Sequence, residues 1–138
     1  MTSTVLYTGD LRTYCTHRQS SSGFETDAPV DNQGKDERFS PTDLLATSLA
    51  TCMLTVMGIK AKSMNLDLKG MKADVEKKMK ADPRRVGGIN LTFFIPEQLR
   101  TLSQNEKDIL KYTAMTCPVQ NSIHPDIEVN IDWGFWNN

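Results

Sequence analysis

A chain of 138 residues, 38% of them hydrophobic and 24% charged, fits one globular domain over residues 1–138 with a core of its own. Its formal net charge of -1 gives no electrostatic reason to expect nucleic acid or an anionic membrane as a partner. The N-terminal segment MTSTVLYTGDLR lacks the basic start and apolar run of a signal peptide, which favours a cytoplasmic location.

The first third of the chain predicts short strands separated by turns. The segments TVLYT, LRTYCTH and FETD read as strands, with a Gly-Asp turn and the breaker SSSG between them. The next stretch, APVDNQGKDERF, is rich in Pro, Gly, Asp and Asn, which is typical of a surface loop.

A long helix is predicted to start at SPTD. Ser40 suits the N-cap, Pro41 the first helical position, and Asp43 the position from which an acid reaches back to the cap nitrogen. The helix should run to about Lys62 and is apolar around most of its circumference, which indicates an enclosed helix. A domain of this size has little material to enclose it, so we expect a partner subunit to supply part of the cover. The apolar run is shorter than the ~20 residues that span a bilayer, which favours a core helix.

The second half of the chain predicts two strands, a helix and a last strand. GMKADVEKKMKAD alternates in polarity, PRRVGG reads as a turn, and INLTFFIP places Ile89, Leu91 and Phe93 on one face. LSQNEKDILKYTAM carries a capping box and should form a helix that ends at Met115 or Thr116. CPVQNSIHP predicts a short helical turn, and DIEVNIDW a final half-buried strand. This order of elements predicts the α+β class.

Three cysteines and two histidines are too few and too widely spaced for a structural zinc site or a secreted disulfide scaffold. Cys15 lies in a predicted strand, where packing is its simplest role. Cys117 precedes Pro118 and so occupies the N-cap of a helical turn, where the dipole favours a thiolate.

Cys52 lies in the middle of the long helix, where a core role is the simplest interpretation. The helix dipole gives no help to a thiolate there, so a reactive Cys52 would need a cation from another segment. Arg12, Arg18 and Arg38 are the candidates, and the residues alone do not choose among them.

Two segments, SPTDLLATSLATCMLTVMGIKA and YTAMTCPVQNSI, together resemble the two cysteine motifs of the OsmC/Ohr family of osmotically inducible and organic hydroperoxide resistance proteins. The resemblance covers essentially the whole chain. It implies an OsmC-like α+β fold, an intertwined homodimer in which long central helices pack between antiparallel sheets and the N-terminal strands cross onto the partner.

The resemblance also implies thiol-dependent reduction of organic hydroperoxides, and perhaps inorganic ones, without a cofactor. Cys52 matches the peroxidatic cysteine and Cys117 the resolving cysteine, and a Cys52–Cys117 disulfide would be reduced by an external dithiol, for instance of the lipoyl type. An arginine of the N-terminal strands holds the thiolate in the family, and GDLR makes Arg12 the first choice here, ahead of Arg18 and Arg38.

The chain departs from the hydroperoxide-resistance pattern after Pro41. Those members carry a glutamate there that orients the arginine, whereas this chain has Thr42 and places the acid at Asp43. Asp43 lies about 13 Å along the helix from Cys52 and points the other way, so capping is its simpler role than orienting the arginine. The shift motivates an alternative, a non-catalytic protein that binds a small hydrophobic ligand on the same fold. A third hypothesis is a structural domain with inert cysteines.

Two histidines complete the set of candidate side chains. His124, beside Pro125 in a turn, should lie on the surface. His17 lies near the arginines of the N-terminal strands, yet a packed or exposed histidine is the simpler interpretation.

Overall fold

The N-terminal segments form an antiparallel sheet in the computed structural model, which describes residues 1–137. Its strands are β1 (Ser3–Gly9), β2 (Arg12–His17) and β3 (Gly23–Asp27), in the order β1-β2-β3. The link from β1 to β2 passes through the positive-φ region at Gly9, where glycine carries no steric cost. The predicted loop follows, with one turn of 3-10 helix at Val30–Asn32. The three strands and the loop that the sequence predicts are confirmed.

The long helix, α1, spans Pro41–Ser63 and begins with the predicted capping box. The Ser40 N–H donates to Asp43 Oδ2 at 2.9 Å, and the Asp43 N–H donates to Ser40 Oγ at 3.1 Å. This reciprocal pair satisfies two backbone donors that a helix start leaves open. The helix start and its end near Lys62 are therefore confirmed.

By length and composition alone, α1 is long and apolar enough to cross a membrane. The length argument from the sequence, which counted a shorter apolar run, therefore does not exclude a membrane helix. Burial favours a core helix instead, because Leu49, Met53 and Met57 are fully buried among other apolar side chains.

A second, mixed sheet contains β4 (Lys72–Lys80), β5 (Arg85–Phe94) and β6 (Glu128–Asp132), in the order β4-β5-β6. β4 and β5 are antiparallel, whereas β5 and β6 are parallel, so the expectation of purely antiparallel sheets is wrong for this pair. The segment between them is long enough for the crossover that parallel strands require, and it carries the second helix. β5 also starts at Arg85, so the Val-Gly-Gly that follows belongs to the strand and not to the predicted turn.

The second helix, α2, spans Gln104–Met115 and carries the predicted capping box between Ser103 and Glu106. It buries Leu110 and Ala114 against a core to which β5 contributes its predicted apolar face. The fully buried large side chains of this core come from α1, β5, α2 and the C-terminal 3-10 turn: Leu49, Met53, Met57, Ile89, Leu91, Phe93, Leu110 and Trp136. The Trp136 indole N–H donates to the Leu99 carbonyl at 2.9 Å, which satisfies the polar atom of this buried ring.

The chain divides into two compact units, Met1–Leu45 and Ala46–Asn138. The first contains the sheet β1-β2-β3, the loop and the first turn of α1. The second contains the rest of α1, the mixed sheet and α2. Helices and sheets in this order confirm the α+β class, and the single domain over residues 1–138 stays a prediction.

Candidate functional site

Cys52 and Cys117 meet in the second unit although they lie far apart in the chain. Cys52 lies halfway along α1, half-buried against the core, and Cys117 lies just beyond α2 and is fully buried. Cys52 packs against the core cluster that contains Cys117 and is near enough to affect its pKa, and neither cysteine is in a disulfide. Two sulfur atoms in one place are what disulfide chemistry requires.

Cys117 begins a single helical turn, as the sequence predicts. The Gln120 N–H donates to the Cys117 sulfur at 3.3 Å, and the Asn121 N–H donates to the Cys117 carbonyl at 3.2 Å. The expected stabilisation of a thiolate by backbone N–H groups is present at this turn, but burial outweighs it. Burial raises the pKa of Cys117, and the neighbouring Cys52 thiol raises it further, which outweighs the opposite effect of the Gln120 N–H. Cys117 is therefore a thiol at neutral pH.

Gln120, which lies in this turn, carries a buried polar atom that lacks a hydrogen-bond donor. Its side-chain oxygen Oε1 is buried and accepts no hydrogen bond from any residue in the range 1–137. A buried carbonyl oxygen without a donor is destabilising, so this atom lowers the stability of the fold.

Arg12 lies in the first unit, at the start of β2, and binds two carboxylates. Its Nε and Nη2 donate to Asp27 Oδ1 and Oδ2 at 2.7 and 2.8 Å, and Nη2 also donates to Glu37 Oε2 at 2.8 Å. The bidentate pair holds the pKa of Asp27 below its usual range, and the two acids raise the pKa of Arg12. Sequence reasoning missed both acids. Arg12 and Asp27 are cross-strand partners, and the register that pairs them is not encoded in a short motif.

The other two candidate arginines differ from Arg12 in their surroundings. Arg38 is exposed, and its Nε donates to Glu25 Oε2 at 2.9 Å while Nη1 donates to the Glu37 carbonyl at 2.8 Å. Arg18 is exposed in the turn after β2. Of the three candidate arginines, Arg12 is the one that forms two hydrogen bonds with a buried carboxylate.

Asp43 performs the capping role that its position predicts. Its carboxylate accepts from the Ser40 N–H, and the Ser40 hydroxyl in turn lies 3.2 Å from the Thr42 hydroxyl. These contacts belong to the start of α1. A role for Asp43 in orienting an arginine stays a prediction.

The remaining candidate side chains lie outside this chemistry. Cys15 is half-buried in β2, with its sulfur 4.0 Å from the Thr13 hydroxyl. His17 pairs with the Ser20 hydroxyl at 2.7 Å within a turn, and His124 is exposed and accepts from the Asp126 N–H at 3.1 Å. Among residues 1–137, no three His, Cys, Asp or Glu side chains are grouped so that they could hold a metal ion.

The chain is an α+β protein in which a cysteine of a long helix lies near a buried cysteine just beyond a second helix. The family model described as OsmC-like protein matches residues 34–132. The chain is therefore a member of the OsmC-like family, as its two cysteine motifs indicate.

Solved structures agree with this assignment. A crystal structure from Psychrobacter arcticus 273-4, provisionally described as an osmotic stress induced and detoxification response protein, is 53% identical, with a TM-score of 0.90 and coverage of 96% of this chain and 94% of that one. An organic hydroperoxide resistance protein OsmC from Legionella pneumophila is 20% identical, with a TM-score of 0.72 and coverage of 96% of both chains.

A third similar structure is the organic hydroperoxide resistance protein OhrB of Bacillus subtilis, at 17% identity, with a TM-score of 0.65 and coverage of 96% of this chain and 97% of that one. At such identities the last two show a shared fold. No curated protein sequence is similar enough to this chain to count as a match.

Proposed function

We propose that this protein is a cysteine-dependent peroxidase that reduces organic hydroperoxides. The observation that carries the proposal is that Cys52 packs against the core cluster that contains Cys117 and acts on the Cys117 thiol in the second unit. Membership of the OsmC-like family supports it, as do structural relatives named organic hydroperoxide resistance proteins.

The proposed reaction uses the two cysteines in sequence. The Cys52 thiolate attacks the terminal oxygen of the hydroperoxide, the O–O bond breaks, and the alkoxide takes up a proton and leaves as the alcohol. The Cys52 sulfenic acid then condenses with the Cys117 thiol, which releases water and forms a disulfide. A protonated Cys117 suits this role, because its sulfur does not compete for the peroxide. An external dithiol, for instance of the lipoyl type, restores both thiols and becomes a disulfide itself.

The Arg12 guanidinium is proposed to supply the positive charge that stabilises the Cys52 thiolate. Asp43 is proposed to support the site by capping α1, the helix that carries Cys52. A guanidinium keeps its charge at every physiological pH and donates directed hydrogen bonds, which suits an anion such as a thiolate. Replacing Arg12 with Gln should slow the reaction of Cys52 with a hydroperoxide. The same test applied to Arg18 and Arg38 would rank the three candidates.

The proposed working form is a cytoplasmic homodimer. Apolar side chains of both units are exposed in the single chain, including Leu6 of β1, Ile59 of α1 and Tyr112 of α2. Exposed apolar surface on a helix and on a strand favours cover by another protein surface. A second copy of this chain is the partner that the family resemblance implies.

Titration of thiols before and after one equivalent of an alkyl hydroperoxide tests the proposed function. The wild-type chain should lose two thiols, and the Cys52→Ser variant should lose none. Cys117→Ser should lose one, because the sulfenic acid forms and finds no partner. Cys15→Ser is the matched control and should lose two thiols like the wild type.

Unchanged thiols in the wild-type protein would reject the peroxidase proposal. They would favour the alternative, a non-catalytic protein that binds a small hydrophobic ligand, which the presence of Thr42 after Pro41 motivates. A copurifying apolar ligand would then support that alternative. Thiols that react with no reagent until the chain unfolds would favour a structural domain with inert cysteines.

A further inference from the structure

A cavity of about 530 Å³ lies in the second unit, at the C-terminal ends of the parallel strands β5 and β6. Its wall includes Phe94 of β5, Asp132 of β6, Arg100, and Phe135 in the C-terminal 3-10 turn Gly134–Trp136. Neither of the cysteines in the proposed peroxidase reaction lines it. A volume of this size is within the range of small-molecule sites in proteins.

Two phenyl rings in this wall are exposed, and a cation contacts each of them. Phe94 is 46% exposed and Phe135 is 60% exposed. Lys72 Nζ lies 4.6 Å from the centroid of the Phe94 ring, and the Arg100 guanidinium carbon lies 3.9 Å from the centroid of the Phe135 ring. These cation–π contacts restrict both rings. Two ordered aromatic surfaces in one cavity favour a ligand that has a ring of its own.

The turn that carries Phe135 is fixed by the residues around it. Trp136 is fully buried, and Trp133 stacks on Phe93 with the ring centroids 4.7 Å apart. Gly134 has a φ of +57° and approaches β5 so closely that a Cβ there would lie 2.6 Å from the Phe93 carbonyl oxygen. The exposed ring of Phe135 is therefore held in place at the surface by a rigid turn.

Arg100 brings unused hydrogen-bond donors to the cavity. Its Nε donates to the Ile95 carbonyl at 3.1 Å, which anchors the side chain beside the end of β5. Of the five N–H groups of an arginine side chain, the four on Nη1 and Nη2 of Arg100 donate to no residue in the range 1–137. Donors on the two terminal nitrogens of a planar cation match the two oxygens of a carboxylate.

Asp132 brings the opposite charge to the same cavity. The Asn137 side-chain amide and the Gly134 N–H donate to its Oδ1 at 2.7 and 2.8 Å, and both bonds lower the pKa of Asp132. Its Oδ2 accepts from no residue among the described ones, and Asp132 and Arg100 form no ion pair with each other. The cavity therefore presents one cation and one anion, each with atoms available to a ligand.

We propose that this cavity binds an aromatic α-amino acid. The ring of the ligand packs against Phe94 and Phe135, its carboxylate accepts from Nη1 and Nη2 of Arg100, and its ammonium group donates to Asp132 Oδ2. The two charges define this class of ligand, because a ring with a carboxylate alone would leave Asp132 unpaired and repelled by the ligand. A ring with an amine alone would do the same to Arg100. The site is separate from the proposed thiol chemistry.

Titration of nitrogen-15-labelled protein with L-phenylalanine, followed by the shifts of the backbone amide signals, tests the proposal. The shifts should saturate with a Kd of about 1 mM, as expected for a small ligand in an open cavity, and should be largest in residues 92–95 and 132–135. Two probes that each lack one charge, 3-phenylpropanoate without the ammonium group and phenethylamine without the carboxylate, should bind about tenfold more weakly. L-Alanine, which lacks the ring, should also bind more weakly.

Substitutions in the wall should change these affinities selectively. Arg100→Gln should weaken L-phenylalanine about tenfold and should not weaken phenethylamine, because Arg100 contacts the carboxylate that phenethylamine lacks. Asp132→Asn should weaken L-phenylalanine about tenfold and should not weaken 3-phenylpropanoate, which lacks the ammonium group. Phe135→Ala should weaken all three aromatic probes about fivefold.

Three matched controls lie outside the cavity. Arg85→Gln removes a positive charge from the other end of β5, where Arg85 Nη1 donates to the carbonyls of Ala81 and Pro83. Glu128→Gln removes an acid from the same strand and face as Asp132, four residues earlier. Tyr112→Ala removes an exposed ring from α2. All three variants should bind L-phenylalanine as the wild type does.

The proposal is overturned by any of four results. The first is the absence of saturable shifts with L-phenylalanine up to about 10 mM, tenfold above the expected Kd. The second is equal affinity for L-phenylalanine and 3-phenylpropanoate, which would leave Asp132 without a role. The third is a set of shifts confined to the surroundings of Cys52 and Cys117, which would place the ligand at the thiols. The fourth is a loss of affinity in Arg85→Gln as large as in Arg100→Gln, which would reduce the effect to net charge. Thermal unfolding is measured for every variant, and if Phe135→Ala does not fold, the comparison of the four probes on the wild type decides.

Discussion

Cys117 and Gln120 both lie in the helical turn beyond α2, and burial affects the two side chains in different ways. The sulfur of Cys117 is fully buried and still receives the Gln120 N–H. Of these two opposed effects, the loss of water dominates, and the pKa of Cys117 is raised. A buried thiol that stays protonated suits the resolving role that is proposed for Cys117.

The raised pKa of Cys117 predicts a pH dependence of stability. As pH rises, the unfolded chain loses this proton first, near the usual thiol pKa of about 8.5, and the folded chain loses it later. The contribution of Cys117 is therefore complete below that pH and falls as pH rises through the folded-state pKa. Urea unfolding of the reduced wild type and of Cys117→Ala should show a gap in free energy of unfolding that is smaller at pH 10 than at pH 7. A gap that stays constant or widens would contradict this prediction.

Gln120 predicts a stabilising substitution. Its buried Oε1 has no donor among residues 1–137, and an unsatisfied buried carbonyl oxygen costs about 1 kcal/mol or more. Gln120→Met keeps the length of the side chain and removes that oxygen, so it should raise the free energy of unfolding by about 1 kcal/mol. Gln19→Met, at an exposed position, is the control and should change nothing measurable. A destabilised Gln120→Met would mean that the oxygen is satisfied in solution.

At the scale of secondary structure, the two helices start in the same way, with a serine N-cap and an acid three residues later. In α2 the Ser103 N–H donates to Glu106 Oε2 at 2.8 Å, and the Glu106 N–H donates to Ser103 Oγ at 3.3 Å. The hydrogen bonds from the side chain and backbone of Ser103 lower the pKa of Glu106. Local sequence is enough to form this motif, which is why the sequence predicts both helix starts correctly.

The capping box of α2 predicts two measurable effects. Ser103→Ala should lower the free energy of unfolding by about 1 kcal/mol, since it leaves a backbone N–H at the helix start without a partner.

The lowered pKa of Glu106 stabilises the fold above the unfolded-state pKa, and this contribution is lost as pH falls through the folded-state value. The difference between the wild type and Glu106→Gln should therefore shrink when chemical unfolding is repeated below about pH 4. A difference independent of pH would exclude the Glu106 charge as its source.

Elements that depend on local signals were predictable, and those that depend on distant pairing were not. Periodicity placed Ile89, Leu91 and Phe93 on the buried face of β5, and the caps placed both helices. The parallel pairing of β5 with β6 depends on the path of the chain between them, which no short pattern encodes. Likewise, the pairing of Arg12 with Asp27 follows from the register of β2 against β3, and a shift by one residue would have separated them.

The candidate site shows the same division. The two cysteine motifs point to Cys52 and Cys117, but only the folded structure shows that Cys52 packs against the cluster that contains Cys117 and that burial dominates the pKa of Cys117. The N-cap position of Cys117 by itself predicts a lowered pKa. The raised pKa could not be predicted, because the cost of burying the thiolate cannot be read from neighbouring residues in the sequence.

At the scale of the whole molecule, β1 is the element that most clearly lacks cover. It is an edge strand of its sheet, and Val5 and Leu6, whose side chains point to opposite faces, are 62% and 61% exposed. An exposed apolar edge strand favours association with other chains unless a specific partner covers it. A second copy that accepts β1 would remove this exposure, which is the arrangement the proposed homodimer requires.

Sedimentation velocity should therefore give a mass twice the 15.5 kDa of one chain at micromolar concentration. Replacing both Val5 and Leu6 with Lys places two charges on the strand that the partner is proposed to cover, so the dimer should dissociate and the peroxidase rate should fall with it. Val30→Lys is the control, because Val30 is equally apolar and 68% exposed but lies in a 3-10 turn outside the sheet. A wild-type chain that sediments as a monomer and still reduces hydroperoxides would contradict the dimer, since each chain would then complete its active site alone.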